Sequence, residues 1–489
     1  MPGFISIIKQ IPTESLIYKL SELSIEMFHE NITIKEMEKT NTFNSLPSKI
    51  KTSLLLWDIP SIDYLSVCNS NDYRHISHII SIDEIVSRYR IYENEHSVSK
   101  DIEEANYAGI MRILTGMSAE QFMLDNMRWV FQSFNRNYYI LMILQKKLIH
   151  PVIDVDKIVF ELFGVSADDY TNLIMIIMWL CMQHPDPLSA AESIYKKSES
   201  TFLTKESIKK VIQHYSCDYE TIRSHCLKKQ LFYTKPFIHT DRNDLYIASC
   251  VHLILMILGN GLYWVLRDYY YRNKSQYFVN TFGTLYELYI EDISNRNCTH
   301  GEFCKLKISQ KKSADYLYEF DHIRILVEAK SGLLGVEGKQ QVPLIPPIDS
   351  FIERNIKEAY EQLCSSYKRI ILDKCDDKPT IKVILLFDIF SNASIIEHAS
   401  DGIFQADTKC FIMTIREFEI LLMIYQCSKD DFNNAVHMLI SPNTSCQNHY
   451  SITYVFDKLN LWKYDFFQGD YDYFHILLRR LGKEMKGIA

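Results

Sequence analysis

The sequence has little of what marks an unfolded or repetitive chain. It contains only 15 glycines and 13 prolines in 489 residues, and it shows no internal repeat and no low-complexity linker. Hydrophobic residues make up 47% of it. This composition excludes a largely disordered protein, and the length is sufficient for two or three domains with their own cores. We therefore expect a well-packed, helix-rich globular protein.

Closely spaced cysteine pairs are also absent. The 12 cysteines are scattered with no CxxC pair. The opening residues, MPGFISIIKQIPTES, contain no basic leader and no small-residue cleavage site, so we expect reduced thiols and a cytoplasmic location. The nearest approach to a metal cluster has a spacing that matches no zinc pattern. It consists of His214, Cys217, His225 and Cys226.

An excess of positive charge is missing as well. The formal net charge is −8. Proteins that hold nucleic acid over a wide surface are usually basic. Any contact of this chain with nucleic acid must therefore depend on a local group of basic residues.

No apolar run is both long and uninterrupted. The longest, YIASCVHLILMILGNGLYWVL at residues 246–266, contains Ser249, His252 and Asn260 and has charged residues at both ends. A membrane-spanning helix needs about 20 mostly apolar residues, so we expect one buried helix here and no membrane partner. A membrane-associated regulator that uses this segment is the weaker alternative.

Three regions follow from the change in sequence pattern. Residues 1–272 have apolar residues at helical spacing and predict a mainly helical region of unknown role, through which the chain would contact a second copy or a partner protein. Residues 273–425 predict an α/β domain, and residues 426–489 a helical extension that packs on its core. In the final strand-to-helix passage of the α/β domain, Thr414 and Glu417 have the spacing of a capping box.

The segment SADYLYEFDHIRILVEAKSG, residues 313–332, alternates like the two strands of a hairpin. A two-residue turn at Asp321 and His322 fixes which residues face each other. The resulting register places the opposite charges of Glu319 and Arg324 face to face, which supports it. One face of the hairpin is then apolar or aromatic and suited to a core: Tyr316, Tyr318, Phe320, Ile323, Ile325, Val327 and Ala329.

The same register puts Asp315 directly opposite Glu328, with Cβ atoms expected about 4.5–5.5 Å apart. Two carboxylates at that distance repel each other unless a positive charge lies between them. A divalent cation about 2.0–2.6 Å from each oxygen would satisfy both, and Lys330 projects from the same face. The alternative is that these charges form the solvated face of an exposed edge hairpin, since an isolated E-x-K triplet is common in proteins.

These residues resemble the PD-(D/E)XK nuclease superfamily over about residues 278–390. That family has a helix, a three-strand meander, a second helix and a further strand in a mixed central sheet. Here SAD supplies the family's aspartate as Asp315, and EAK supplies Glu328 and Lys330. A subset of the family has a glutamine on the later helix, and Gln362 in AYEQLCSSY occupies that position.

Two positions depart from the family pattern. A proline usually precedes the aspartate, and Ala314 stands there in this chain. An aromatic residue often follows the glutamine by four positions, whereas here that position is Ser366 and Tyr367 comes one later. The resemblance covers about a quarter of the chain.

The resemblance implies a bound Mg²⁺ or Mn²⁺ ion. Its ligands would be Asp315, Glu328 and the backbone carbonyl of Ala329. A further acid from the first helix would bind directly or through water, and Glu287 in FGTLYELYIED fits that role. Glu291, one turn later, is the rival for it. The ion would polarise a phosphate oxygen and acidify a bound water.

The resemblance also implies an activity. Lys330 would orient or deprotonate the attacking water or stabilise charge on the phosphate, and Gln362 would position the site or touch the substrate. The expected protein is a metal-dependent nuclease that cuts DNA as an endonuclease and serves in restriction or anti-phage defence. The alternative is a catalytically inactive nuclease-like scaffold that binds nucleic acid or protein.

Contact with a nucleic acid requires local positive charge against the acidic background. Lysines before and after the hairpin are the candidates, with affinity expected to fall as salt rises. The alternative is that they only keep an exposed surface soluble. They are Lys305, Lys307, Lys311, Lys312 and Lys339.

Overall fold

The computed structural model of the chain is a mixed α/β structure with a helical N-terminal region and two sheets. It describes residues 3–29, 58–69, 72–73, 81–96, 107–121, 127–148, 152–195, 202–225, 228–273, 276–306, 313–335, 338–339, 345–372, 374, 376–387, 394–400, 402–441 and 450–484.

The N-terminal region is built almost entirely of helices, as the sequence predicts. Local signals set several boundaries. Asp154 caps α7 by accepting from the N–H of Lys157, and Gly164 ends that helix in the left-handed conformation that favours glycine. The helices are α1 (Phe4–Ile8), α2 (Thr13–His29), α3 (Asp58–Asn69), α4 (Ile82–His96), α5 (Tyr107–Gln121), α6 (Met127–Tyr138), α7 (Val155–Phe163), α8 (Ala167–Cys181), α9 (Pro187–Ala190), α10 (Glu192–Tyr195), α11 (Lys205–His214), α12 (Tyr219–Ser224), α13 (Val251–Gly259) and α14 (Gly261–Arg272).

A small three-stranded sheet interrupts these helices. It consists of β1 (Ser216–Asp218), β2 (Phe237–His239) and β3 (Tyr246–Ala248), with β1 parallel and β3 antiparallel to β2. Each of these strands has three residues, which is too short to show an alternating pattern in the sequence. The predicted single helix over 246–266 is wrong. The segment begins as β3 and continues as α13 and α14, which are separated at Asn260.

The two glycines on either side of Asn260 pack closely against other elements. A Cβ atom added to Gly259 would lie 2.8 Å from Cγ1 of Val130, and one added to Gly261 would lie 2.8 Å from the hydroxyl of Tyr215. Both glycines therefore allow a neighbouring element to approach closely.

Within the described residues, no helix is long and apolar enough to cross a bilayer.

The larger sheet has five strands in the order of the sequence. These are β4 (Phe303–Lys305), β5 (Tyr316–Glu319), β6 (Arg324–Lys330), β7 (Thr380–Leu386) and β8 (Cys410–Thr414). The first three are antiparallel neighbours, and β6, β7 and β8 run parallel. Every residue of β7 is buried, as is typical of a parallel strand covered on both faces. The predicted mixed sheet is confirmed.

Helices cover both faces of this sheet. The first face carries α15 (Tyr277–Asn297) and α20 (Ile415–Cys427). The second carries α16 (Ile345–Ile352), α17 (Glu358–Ser366), α18 (Ser394–Ala399) and α19 (Ile403–Ala406), with π-helical turns at 353–357 and 367–371. The predicted capping box of α20 is confirmed, because Thr414 and Glu417 each accept a hydrogen bond from the other's backbone N–H.

The C-terminal extension continues with α21 (Lys429–Ile440), α22 (Ile452–Lys458) and α23 (Tyr473–Glu484). The first two lie near α20 and β8, whereas α23 packs against α6 and α8 of the helical region.

The largest hydrophobic core runs through all three predicted regions. It contains Phe134 of α6, Phe282 of α15, Tyr318 of β5 and Leu481 of α23. The boundaries near 272 and 425 stay predictions, since this core draws residues from both sides of each.

Candidate active site

The predicted hairpin register is confirmed over four residue pairs. Glu319 faces Arg324, and the pairing continues along the hairpin to Tyr316 and Val327. Nε of Arg324 also donates to Oε1 of Glu319 across 2.7 Å. The predicted apolar face forms part of the largest core, with Ala329 packed at its margin.

The opposite face of the hairpin is not a solvated surface. Strand β6 lies in the middle of the sheet, between β5 and β7. Glu328 is only 3% exposed. The hydrophobic core between this face of the sheet and the helices α16 to α19 lies beside it. The interpretation of these charges as an exposed edge is therefore wrong, and a buried carboxylate needs a partner to stay charged.

Asp315 lies at an irregularity in the hairpin. Its N–H donates to the carbonyl of Val327 across 3.0 Å, and Val327 also faces Tyr316. Two residues of one strand thus oppose one of the other, which is the arrangement of a β-bulge. This bulge replaces the direct pairing of Asp315 with Glu328, so that prediction is wrong. The backbone N–H of Ala329, two residues after Val327 on β6, donates to Oδ2 of Asp315 across 2.8 Å.

Asp315 and Glu328 still interact through their charges. Burial raises the pKa of Glu328 to about 7, the nearby Asp315 adds to the increase, and Lys330 opposes it. Burial likewise raises the pKa of Asp315, against the hydrogen bond from Ala329 that favours the charged form. Two carboxylates that resist ionisation side by side form a site where a cation would be strongly favoured.

Lys330 connects Glu328 to α17. Its Nζ donates to Oε1 of Glu328 across 2.8 Å and to Oε1 of Gln362 across 2.9 Å. The Lys330 side chain is 19% exposed and that of Glu328 is 4% exposed. The structure therefore brings together three of the residues that the sequence singles out, and the ammonium belongs to a more exposed side chain than the carboxylate does.

The first-helix acid has a different partner from the expected one. Glu287 lies on α15 and accepts from Nζ of Lys305 across 3.0 Å, while the rival Glu291 accepts from the same ammonium across 2.7 Å. Lys305 therefore lies between these two carboxylates. The helix itself is held near β5, because the hydroxyl of Tyr316 donates to the carbonyl of Glu287 across 3.3 Å.

A metal ion fits this site through fewer protein ligands than expected. No three His, Cys, Asp or Glu side chains among the described residues are grouped so as to hold an ion. Oε2 of Glu328, however, is buried and has no hydrogen-bond partner in the described part of the chain. Mg²⁺ is commonly bound by one or two carboxylates together with waters and substrate phosphates. Asp315, Glu328 and the carbonyl of Ala329 are the residues that fit such an ion.

The structure describes two of the five lysines that were predicted to bind phosphate. Lys305 pairs with acids, as described above, and Lys339 is half-buried in the loop after β6. Lys307, Lys311 and Lys312 lie outside the described residues. Their role in binding nucleic acid stays a prediction.

Sequence reasoning missed the contribution of Ser366. Its hydroxyl accepts a hydrogen bond from the N–H of Ala314 across 2.7 Å, next to Asp315 in the chain. Both residues are buried. The sequence holds no signal for this contact, because an isolated serine in a helix is most often a surface residue.

The arrangement combines the buried carboxylate of Glu328, the half-buried carboxylate of Asp315 and one ammonium held by an amide, and the side chain of Glu287 on α15 is 43% exposed. Carboxylates and an amine in such a group can bind a divalent ion and direct a water toward a phosphate. No protein-family model, no curated protein and no solved structure matches the chain.

Proposed function

We propose that this chain is a metal-dependent nuclease that hydrolyses phosphodiester bonds, with DNA as its substrate and Mg²⁺ or Mn²⁺ as its cofactor. One observation carries the proposal. The buried carboxylate of Glu328 has Asp315 beside it, Lys330 hydrogen-bonded to one oxygen, and no described hydrogen-bond partner for the other. A buried carboxylate oxygen without a partner is energetically costly, so this one favours an ion as its partner.

The residues have distinct roles in this proposal. Asp315 and Glu328 would hold the ion together with the carbonyl of Ala329. When bound, the ion neutralises phosphate charge and makes a water more acidic. Lys330 would donate a hydrogen bond to the attacking water or to a phosphate oxygen, since it contacts Glu328 and its side chain is the more exposed of the two. Gln362 accepts from that ammonium and limits its directions.

The direction of substrate approach follows from exposure. The side chains become more accessible from Glu328 through Lys330 to Glu287 and Lys305, which are both 43% exposed. A phosphate would therefore enter from the side of α15 and β4. Displacement of Lys305 from Glu287 would then free the ammonium for a phosphate contact of the kind that the sequence predicts.

The test is cleavage of supercoiled plasmid by purified protein with Mg²⁺ or Mn²⁺, with and without a chelator. Lys330→Ala is expected to abolish cutting. The matched control is Lys458→Ala, which removes an exposed lysine at the end of α22 and is expected to cut like the wild type. Equal residual cutting by the wild type and Lys330→Ala would assign the activity to a contaminant and overturn the proposal.

A specific observation favours a second candidate. The described residues contain no group of three metal-binding side chains, and Lys305 already neutralises Glu287 and Glu291. An inactive nuclease-like scaffold that binds nucleic acid or protein would have this arrangement. Calorimetry separates the two candidates: a nuclease should bind Mn²⁺ in a manner that Asp315→Ala abolishes, whereas the scaffold should not.

The biological setting is the part of the proposal that depends on the resemblance alone. We propose restriction or anti-phage defence in the cytoplasm, with residues 1–272 contacting a second copy or a partner protein. Expression of the wild type and of Lys330→Ala in a bacterial host, followed by phage challenge, tests this setting. Protection that survives loss of Lys330 would contradict it.

A further inference from the structure

Ser366 is a buried serine at the end of α17, and its side chain contacts a neighbouring element. It is fully buried, and its hydroxyl accepts from the N–H of Ala314 across 2.7 Å. Ala314 is itself 1% exposed. A buried N–H without a partner is energetically costly, so this hydroxyl strongly favours one position of the backbone before Asp315.

The position of Asp315 depends on such contacts more than that of a regular strand residue. It precedes the regular pairs of β5 and lies at the bulge, where the regular pairing of β5 with β6 is interrupted. Backbone groups bind it on two sides, since its N–H donates to Val327 and its carbonyl accepts from the N–H of Leu306 across 2.8 Å. Ser366 adds a bond from a side chain of another element.

One face of α17 thus contacts both Lys330 and the residue next to Asp315. Gln362 contacts Lys330 of β6, and Ser366, four residues later, contacts the residue before Asp315. Residues four apart lie on the same side of a helix, so α17 can set the distance between these two parts of the candidate site.

We propose that Ser366 is a positioning residue of the nuclease site: through the N–H of Ala314 it holds Asp315 where its carboxylate and that of Glu328 can share one metal ion. The inference rests on the proposed function, because it assigns Ser366 a role in that same site. Partners that orient metal ligands without touching the metal commonly change metal affinity or activity by about 10–100-fold.

The test compares Ser366→Ala with Ser400→Ala by Mn²⁺ calorimetry and by steady-state cleavage. Ser400 is a matched control, because it is also fully buried on this face of the sheet, but its hydroxyl donates to Ile396 of α18, the helix that directly precedes it. For Ser366→Ala we expect the Mn²⁺ dissociation constant to rise about tenfold or more. At saturating Mn²⁺, kcat should fall while KM for DNA changes less than about twofold. Ser400→Ala should match the wild type in all three.

A second variant covers the case in which Ser366→Ala does not fold. Ser366→Cys has nearly the same shape and is slightly larger, but its sulfur is only a weak acceptor, so it should also weaken Mn²⁺ binding. Wild-type Mn²⁺ affinity and kcat in either folded variant would overturn the role of Ser366, even if that variant were less stable. A wild type that neither binds Mn²⁺ nor cuts would instead overturn the proposed function, and the role of Ser366 with it.

Discussion

Lys330 donates from Nζ to Oε1 of Glu328 across 2.8 Å, while Oε2 of the same carboxylate is buried and unpartnered among the described residues. One ammonium therefore satisfies half of a carboxylate that is 4% exposed. Burial, together with the nearby Asp315, raises the pKa of Glu328 to about 7. This half-satisfied state is what a metal ion would complete, and it makes the site sensitive to pH near neutrality.

Metal binding should depend on pH in a definite direction. A carboxylate binds Mn²⁺ in its ionised form, so protonation of Glu328 competes with the ion below about pH 7. We expect the Mn²⁺ affinity to fall about tenfold for each pH unit below 7 and to level off above it. Calorimetry from pH 5.5 to 8.5 measures this. An affinity that stays constant over that range would contradict the role of Glu328 as a ligand.

Glu328 should also make the metal-free protein less stable at high pH. Because the folded-state pKa lies above the ordinary 4.5, the protonated form is favoured by folding, and stability is lost as pH rises through 7. Glu328→Gln removes the charge, so its free energy of unfolding relative to the wild type should rise by about 2 kcal/mol between pH 5.5 and 8.5. Urea unfolding at the two pH values checks this. A difference that does not depend on pH would show that Glu328 is ionised throughout.

Gln362 should affect catalysis more than metal binding. It accepts from Lys330 and is not among the residues that fit the ion. Gln362→Ala frees the ammonium to adopt other positions, so kcat should fall roughly tenfold while the Mn²⁺ dissociation constant changes little. Glu361→Ala, which truncates the exposed neighbour on the same helix, is the control. A large loss of Mn²⁺ affinity in Gln362→Ala would show that the amide acts on the metal ligands instead.

The sequence alone was sufficient to predict the strand register around the site. The alternation of the hairpin and the facing charges of Glu319 and Arg324 specify one register, since a slip by one residue would exchange its two faces. The capping box at Thr414 could be predicted for a similar reason, because its two partners are three residues apart. Local chemistry decides such features, and they can be read without the fold.

The features that could not be predicted from the sequence depend on contacts between elements that are distant along the chain. The bulge at Asp315 involves backbone groups of three strands and the hydroxyl of Ser366, which lies 52 positions from Ala314. The pairing of Lys305 with Glu287 requires the orientation of β4 against α15. Each depends on tertiary contacts, which residue spacing in one sequence does not encode.

A buried ion pair is expected to stabilise the packing of the N-terminal helical region against the helices of the larger sheet. Arg136 of α6 donates to both carboxylate oxygens of Glu419 on α20, across 2.5 and 2.7 Å, and both side chains are 2% exposed. The hydroxyl of Tyr289 on α15 donates to the same carboxylate across 2.6 Å. The pair therefore joins the N-terminal region to two helices that cover the first face of the sheet.

Removal of one partner of this pair should be costly. Arg136→Met leaves Glu419 charged and buried, so we expect a loss of about 3–5 kcal/mol in the free energy of unfolding. Arg136→Met combined with Glu419→Leu should lose much less, because no charge is left unpaired. Lys157→Ala, which removes an exposed ion pair with Glu161, should change stability by under about 1 kcal/mol. Urea unfolding of the four proteins measures this, and a double variant as unstable as Arg136→Met would show that packing, not charge, decides the loss.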